Sequence, residues 1–258
     1  AVGYNNIDIQ AASKRGIMVT NTPGVLTETT ADLTFALLMA VSRRLVESSD
    51  YLRSGKWETW SPMQLTGQDI HGSKLGIIGL GRIGEALARR AKGFDMEVLY
   101  YNRSRKPEAE KGLGIIYKDF NSLLQESDFI CVLTPYTPET INLIDREQFA
   151  LMKKSAIIIN TSRGGIVNEK ALYDALSKGK IWGAGLDVFE EEPVSEHHPL
   201  LGLPNVTVLP HIGSASIKTR LKMAELAANQ LSQAISGKIP ENLVNKQQLD
   251  RNHEGFLS

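Results

Sequence analysis

The spacing of hydrophobic and polar positions changes period several times along the chain, and each change marks an element. Leu75 to Ile78 is a short apolar run, the pattern of a strand buried on both faces. After Gly79-Leu80-Gly81-Arg82-Ile83-Gly84 the period becomes helical. Ile83, Leu87, Ala91 and Phe94 share a face, Glu85, Arg89 and Lys92 fall mostly off it, and Gly93 supplies a stop. Glu97 to Tyr101 reads as a second strand. The alternation then continues, with strands expected at Gly114–Tyr117, Phe129–Leu133, Ala156–Asn160, Ile181–Asp187 and Val206–Leu209. Helices are expected at Asn121–Glu126, Arg146–Met152 and Asn168–Lys178, the last capped by Asn168 and stopped by Gly179. About seven strands alternating with helices imply an α/β protein with a doubly wound parallel sheet, covered on both faces.

The flanks are less regular. Asn6 can cap a short helix to Lys14 with Gly16 as its stop, Ile17 to Thr20 reads as a short strand, and Asn21 to Gly24 as a turn. A long helix is expected from about Thr27 to Leu52, with Leu33, Leu37, Leu38, Val41 and Leu45 near helical spacing. Residues 54–73 have little periodicity and contain Trp57 and Trp60, so they read as an arm that packs on something. A final helix is expected at about Ser216 to Ser236, followed by a mostly irregular tail.

Composition narrows the function. Of 258 residues, 29 Lys and Arg balance 29 Asp and Glu, and 42% are hydrophobic, an ordinary globular mixture for one large or two smaller domains. A neutral balance gives no support for nucleic-acid or anionic-membrane binding. No apolar run is long enough to span a bilayer. The single cysteine, Cys131, lies in the apolar run from Phe129 to Leu133 and is expected in the core. Without a second cysteine there is no intramolecular disulfide, which fits a reducing compartment such as the cytoplasm. No His, Cys and Asp cluster has metal-ligand spacing, so no metal is expected.

The first chemistry lies in the glycine run. Strand, G-x-G-x-x-G, helix and second strand together form a dinucleotide-binding fingerprint. Gly79 permits the turn, Gly81 lets backbone approach a pyrophosphate, and Gly84 lets helix and strand pack closely. The helix N-terminus then faces the phosphates with free N–H groups. An NAD site places an acid at the end of the second strand to bond the ribose 2′-hydroxyl. This chain has Asn102, followed by Arg103, Ser104 and Arg105. No carboxylate repels a 2′-phosphate there, and two guanidiniums can clasp one. NADP(H) is therefore the expected cofactor, with NAD(H) possible.

Ligands of open α/β sheets bind outside the carboxyl ends of the strands. Four such ends carry unusual residues: Thr134 and Pro135; Asn160 to Gly165 with Arg163; Asp187 to Pro193 with Glu190, Glu191 and Glu192; and Leu209 to Ala215 with His211. An arginine, an acid and a histidine over one sheet edge can converge on one pocket.

The ordered set GLGRIG, NTSRGG, GAGLDVFEEEP and PHIGSA resembles the D-isomer-specific 2-hydroxyacid dehydrogenases, and the AVGYNNID and NTPGVLTETTADL stretches are similar too. Within that family the chain most resembles the glyoxylate and hydroxypyruvate reductases. The resemblance implies a Rossmann domain at 25–213 that includes an interdomain helix and a dimerisation arm. It also implies remnants of a flavodoxin-like substrate domain at 1–24 whose preceding part lies outside this sequence, and a C-terminal return at 214–258.

The same resemblance implies catalysis by Arg163, Glu192 and His211, Glu192 being the acid immediately before the proline. Arg163 can donate a planar fork to the carboxylate and ketone of a 2-keto acid. His211 can give the proton as hydride reaches the carbonyl carbon, with Glu192 orienting the imidazole and favouring its charged form. The backbone N–H groups of Val2 and Gly3, with Arg163 and His211, are expected to bind the substrate. Thr134, Thr161, Ser162, Arg163, Asp187, His211 and Gly213 are expected at the cofactor, beside the fingerprint residues and Asn102, Arg103 and Ser104. The resemblance further implies a homodimer through the arm, in which Trp57 or Trp60 either reaches the partner's site or simply packs in the dimer contact. His197 and His198 read as surface residues. Two other readings remain at this point: a 2-ketogluconate reductase of the same family, and a dinucleotide-sensing corepressor without enzymatic activity.

Overall fold

The structure, a computed structural model, describes residues 1–252. The chain forms two compact units, one of residues 30–213 and one of residues 1–29 with the chain from Ser214 onward.

The larger unit is built on a sheet of seven parallel strands, β1 (Lys74–Ile78), β2 (Glu97–Tyr101), β3 (Ile116–Tyr117), β4 (Phe129–Val132), β5 (Ile157–Asn160), β6 (Gly183–Leu186) and β7 (Val206–Val208), in the order β3-β2-β1-β4-β5-β6-β7. The chain winds outward from β1 in both directions, so the crevice between β1 and β4 is the point where a ligand of such a sheet binds. The pleat sends successive side chains to opposite faces. Ile157 and Ile159 join a core with Leu75, Ile77 and Cys131, and Ile158 joins a second core with Ile78, Ile130 and Val132. That division explains why the central strands are apolar at every position. Burial pushes the Cys131 thiol far above its ordinary range, as a core cysteine requires.

Helices cover both faces: α2 (Thr27–Ser42) and α4 (Arg82–Ala91) supply Leu37, Leu38 and Leu87 to the first core, and α6 (Phe120–Glu126), α7 (Arg146–Leu151) and α8 (Glu169–Ser177) supply Leu123, Phe149 and Leu172 to the second. On β6, a Cβ at Gly185 would lie 2.7 Å from Leu37, so only glycine admits so close a helix.

Several expectations are corrected. The expected helix from Thr27 to Leu52 is two helices, α2 and α3 (Leu45–Arg53), broken where Arg44 adopts φ 53°. The returning end of the arm causes the break: Gln68 N–H donates to the Ser42 carbonyl at 2.8 Å, taking the acceptor a continuing helix would use. Unforeseen was α5 (Pro107–Leu113), which starts on its proline and ends at Gly114 with φ 63°. Gly93 lies inside a 3₁₀ turn rather than stopping α4, and Asp95 takes the left-handed position.

In the smaller unit, α1 (Ile9–Lys14) is capped by Asp8, whose side chain accepts from Ala11 N–H, and not by Asn6. The strand expected at Ile17–Thr20 is reduced to a single bridge between Thr20 and Leu243. Buried Asn245 ties this segment down, accepting from Val19 N–H at 2.9 Å and donating to Ser13 Oγ and the Ile17 carbonyl. The final helix α9 (Ile217–Ile235) is capped by Ser216. The tail, expected to be irregular, holds α10 (Lys246–Asn252).

Candidate active site

The loop from β1 into α4 forms a cradle. Gly79 has φ 96°, and a Cβ there would lie 2.7 Å from the Thr134 nitrogen, while one at Gly84 would lie 2.6 Å from the Gly79 carbonyl. Gly81, by contrast, faces open space and caps α4 without any side-chain bond. The turn therefore demands glycine at its two ends, and its middle leaves room for a ligand against the unpaired N–H groups of a ten-residue helix. Leu80 is fully buried, Ile83 is half-buried and Arg82 is exposed.

At the end of β2, Asn102 donates its amide to the Ser104 carbonyl at 2.9 Å. Arg105 is not available as the sequence reading required. Its guanidinium makes two bonds to Glu110, at 2.8 and 2.7 Å, and lies over the Tyr117 ring. The same Glu110 carboxylate accepts from the Tyr100 hydroxyl at 2.6 Å, and Tyr100 Oη in turn accepts from Lys106 N–H at 2.8 Å. Arg105 first and Tyr100 second hold the Glu110 carboxyl down at about 2. Arg103 is exposed and makes no hydrogen bond or ion pair with any described residue.

The β5 end is wired by Asn160. Its oxygen accepts from Ser162 N–H and Ser162 Oγ, and its amide donates to the Arg163 carbonyl at 2.9 Å. Those bonds fix the turn that carries Arg163, whose guanidinium donates to the Ser162 carbonyl at 2.7 Å. Burial works against the Arg163 charge, and the Glu192 carboxylate nearby supports it. Thr161 is buried and its hydroxyl is shared with Thr34 at 2.6 Å.

Past β6, Asp187 is buried. One carboxylate oxygen accepts from Ile212 N–H at 2.8 Å, tying the β6 loop to the segment after β7, and the other makes no hydrogen bond with any described residue. Burial raises its pKa, opposed by the N–H groups of Ile212 and Gly213 and the His211 ring. An orphaned buried acceptor beside Gly213 suits a ligand that brings a donor, such as a carboxamide.

Glu192 bridges two partners, accepting from Phe189 N–H at 3.0 Å and meeting His211 Nδ1 at 2.7 Å. The His211 ring is half-exposed, and its Nε2 bonds no described residue. His211 itself sits at φ 54°. Of the three consecutive glutamates only Glu192 faces the histidine; Glu190 turns to Glu169. His198, expected at the surface with His197, is instead tucked in and paired with Glu169 at 3.0 Å, whereas His197 is exposed.

In the smaller unit the N–H groups of Val2 and Gly3 donate to no described residue, while the Val2 carbonyl accepts from Asn21. Trp57 and Trp60 of the arm are 55% and 74% exposed. Among the described residues no group of His, Cys, Asp and Glu is arranged to hold a metal ion, and no helix is long and apolar enough to cross a membrane.

An open glycine cradle at a helix N-terminus, an orphaned acceptor at the β6 end and a carboxylate-bound histidine over the same sheet edge point to a nicotinamide-dinucleotide oxidoreductase of the doubly wound α/β class. Comparison with known proteins gives the family. Residues 35–213 match the NAD-binding domain of the D-isomer specific 2-hydroxyacid dehydrogenases. The chain is 55% identical to a glyoxylate reductase of Korarchaeum cryptofilum over 257 residues, 99% of this chain and 77% of that protein. Its structure resembles that of an NADPH-dependent glyoxylate/hydroxypyruvate reductase from Sinorhizobium meliloti in complex with NADP and malonate, with a TM-score of 0.87, 37% identity, and 96% of this chain and 76% of that one covered. It also resembles a D-lactate dehydrogenase from Aquifex aeolicus complexed with NAD and lactic acid, with a TM-score of 0.85, 32% identity, and coverage of 95% and 78%. The chain belongs to the D-isomer specific 2-hydroxyacid dehydrogenase family and is an oxidoreductase that uses a nicotinamide dinucleotide.

Proposed function

We propose that the protein reduces glyoxylate to glycolate, and hydroxypyruvate, a related small 2-keto acid, to the D-2-hydroxy acid, with NADPH as preferred reductant. The observation that carries this reading is the 2.7 Å contact between Glu192 and His211 Nδ1, which leaves Nε2 of a half-exposed ring bonded to no described residue. The nicotinamide, when bound, supplies the hydride to the carbonyl carbon. His211 Nε2 gives its proton to the carbonyl oxygen as charge develops there, and solvent restores that proton after product leaves. Glu192 fixes the ring's orientation through Nδ1. Arg163, on the neighbouring strand end, binds the substrate carboxylate with its planar fork, so that the 2-oxo carbonyl and not the acid meets the hydride. The names of the relatives support glyoxylate as substrate.

Preference for NADPH is supported by the absence of an acid at position 102 and by the exposed Arg103 guanidinium. A charge-assisted contact contributes about 1.5–3 kcal/mol, which corresponds to roughly ten- to hundredfold in affinity. The exposed tryptophans support the arm at 54–73 as a homodimer contact. The test is kcat/KM for glyoxylate, hydroxypyruvate and 2-ketogluconate, each with NADPH and NADH. Glyoxylate with NADPH is expected to lead. A lead for 2-ketogluconate, or no turnover with any of the three, overturns the reading.

A further inference from the structure

The acid that orients His211 is itself held from behind. The loop from Asp187 to Pro193 presents two consecutive N–H groups, and each is capped by a carboxylate. Phe189 N–H donates to Glu192 at 3.0 Å, and Glu190 N–H donates to Glu169 Oε1 at 2.7 Å. Glu169 is the first residue of α8, and its own N–H donates back to Glu190 Oε1 at 3.3 Å. Its second oxygen meets His198 Nε2 at 3.0 Å, and the His198 ring stands edge-on to Phe189 with centroids 5.9 Å apart. The other side of the same peptide is closed by Gly164, where a Cβ would overlap the Phe189 carbonyl and the Glu190 nitrogen. The Phe189–Glu190 peptide is therefore clamped between the residue after Arg163 and the Glu169–His198 pair.

The clamp is costly in isolation. The Glu169 side chain is only 14% exposed, and burial first, with the Glu190 carboxylate adding to it, raises its pKa against the help of Glu190 N–H and His198. His198 Nδ1 is buried and bonds no described residue, so the ring is committed to Glu169 through Nε2. An apolar pair would fill this space without desolvating a carboxylate. What an apolar pair cannot do is hold the Glu190 N–H in place one residue from the N–H that Glu192 grips.

We propose that Glu169, braced by His198, is a positioning residue of the reaction: it fixes the Phe189–Glu190 peptide so that Glu192 reaches both Phe189 N–H and His211. This rests on the reading of His211 as proton donor. A displacement of the order of 1 Å at a catalytic group costs up to ~10²-fold in rate, so a loosened loop is expected to lower kcat while leaving cofactor and substrate affinity in place.

The experiment is steady-state kinetics and thermal melting on the full protein carrying Glu169→Ala, Glu169→Gln, His198→Ala, Glu192→Ala, His211→Ala and the double variant Glu169→Ala with Glu192→Ala. Glu169→Ala is expected to lower kcat roughly tenfold with KM for glyoxylate and NADPH within about twofold. Glu169→Gln, whose amide oxygen still accepts from Glu190 N–H, is expected to recover most of that loss. His198→Ala is expected to give a smaller loss of the same kind. In the Glu192→Ala background Glu169→Ala is expected to add less than about twofold, because a residue acting through another loses its effect when the other is gone. An unchanged kcat in Glu169→Ala alongside an inactive His211→Ala overturns the clamp and leaves the proton donor standing. Additive losses in the double variant, or a loss that merely follows a lowered Tm, also overturn it. Ordinary turnover in His211→Ala overturns both.

Discussion

Two stretches of the same sheet edge are built in opposite ways. Over β5, β6 and β7 the functional groups are bonded to one another before any ligand arrives: Asn160 to the Arg163 turn, Asp187 to Ile212, Glu192 to His211. At the end of β2 the polar groups are bonded within their own loop and the helix after it, except for Arg103. Arg105 is spent on Glu110, Asn102 on its own loop, and Arg103 is left to solvent. On the proposed reading the first edge, which carries the reaction, is preorganised, whereas the second, which would select the cofactor, relies on Arg103, a side chain that bonds no described residue. Chemistry needs geometry fixed in advance, while selecting between two ribose substituents needs only one well-placed charge. Changes at the first edge should therefore be severe and unforgiving, and changes at the second graded and reversible.

The largest effect expected is at the reaction edge. His211→Ala and Arg163→Ala should each lower kcat/KM by at least ~10²-fold with glyoxylate and NADPH, the scale for losing an acid or an orienting charge. Near-normal turnover in either would end the contrast. Next is Gly164→Ala, which adds one methyl where the Phe189–Glu190 backbone already lies. Overpacking of that kind costs about 1–3 kcal/mol, to be read from urea unfolding, and kcat should fall with it. The ribose edge comes third. Arg103→Ala should reduce the NADPH preference roughly ten- to hundredfold, and adding Asn102→Asp should reverse it, as judged by kcat/KM with both cofactors. Arg105→Ala is the sharp control: because Glu110 already holds that guanidinium, its effect on KM for NADPH should stay under about threefold.

The smallest effect is a matter of acid stability. Glu110 is held at about 2, below its ordinary value of 4.5. A carboxylate depressed in this way stabilises the fold fully above about pH 4.5 and loses that contribution as pH falls toward 2. The stability difference between the wild type and Glu110→Gln should be constant from pH 7 to about 5 and shrink below. A difference that grows on acidification contradicts the pairing.

The sheet was legible because its signal is local and repeated: runs such as Ile157 to Asn160 are apolar at every position, as a strand buried on both faces must be. The strand ends stood out because an arginine, a run of acids and a histidine are unusual there, whereas the choice of Glu192 among three glutamates rested on the resemblance, and its contact with His211 is visible only in the fold. What sequence could not show was tertiary competition for a backbone group. No glycine or proline marks Arg43 and Arg44, and the hydrogen bond that meets the helix at its break comes from Gln68, far along the chain, to the Ser42 carbonyl. Pairing was equally hidden. Nothing near Arg105 in sequence says that Glu110 will take it, and the bracketing Pro107 and Gly114, a helix signal that went unread, enclose the helix that brings Glu110 round. His198 beside His197 read as one exposed pair, and only the fold separates them.

One backbone angle carries a further consequence. His211 occupies the left-handed region at φ 54°, where a residue with a side chain gives up roughly 1–2 kcal/mol relative to an ordinary conformation. Asparagine tolerates that region better than most. A lineage released from selection for turnover therefore has a ready path of drift: His211→Asn should melt at least as high as the parent while reducing nothing. Libraries sorted for thermal survival alone would enrich this dead variant, so any effort to harden the protein must screen for activity at the same step.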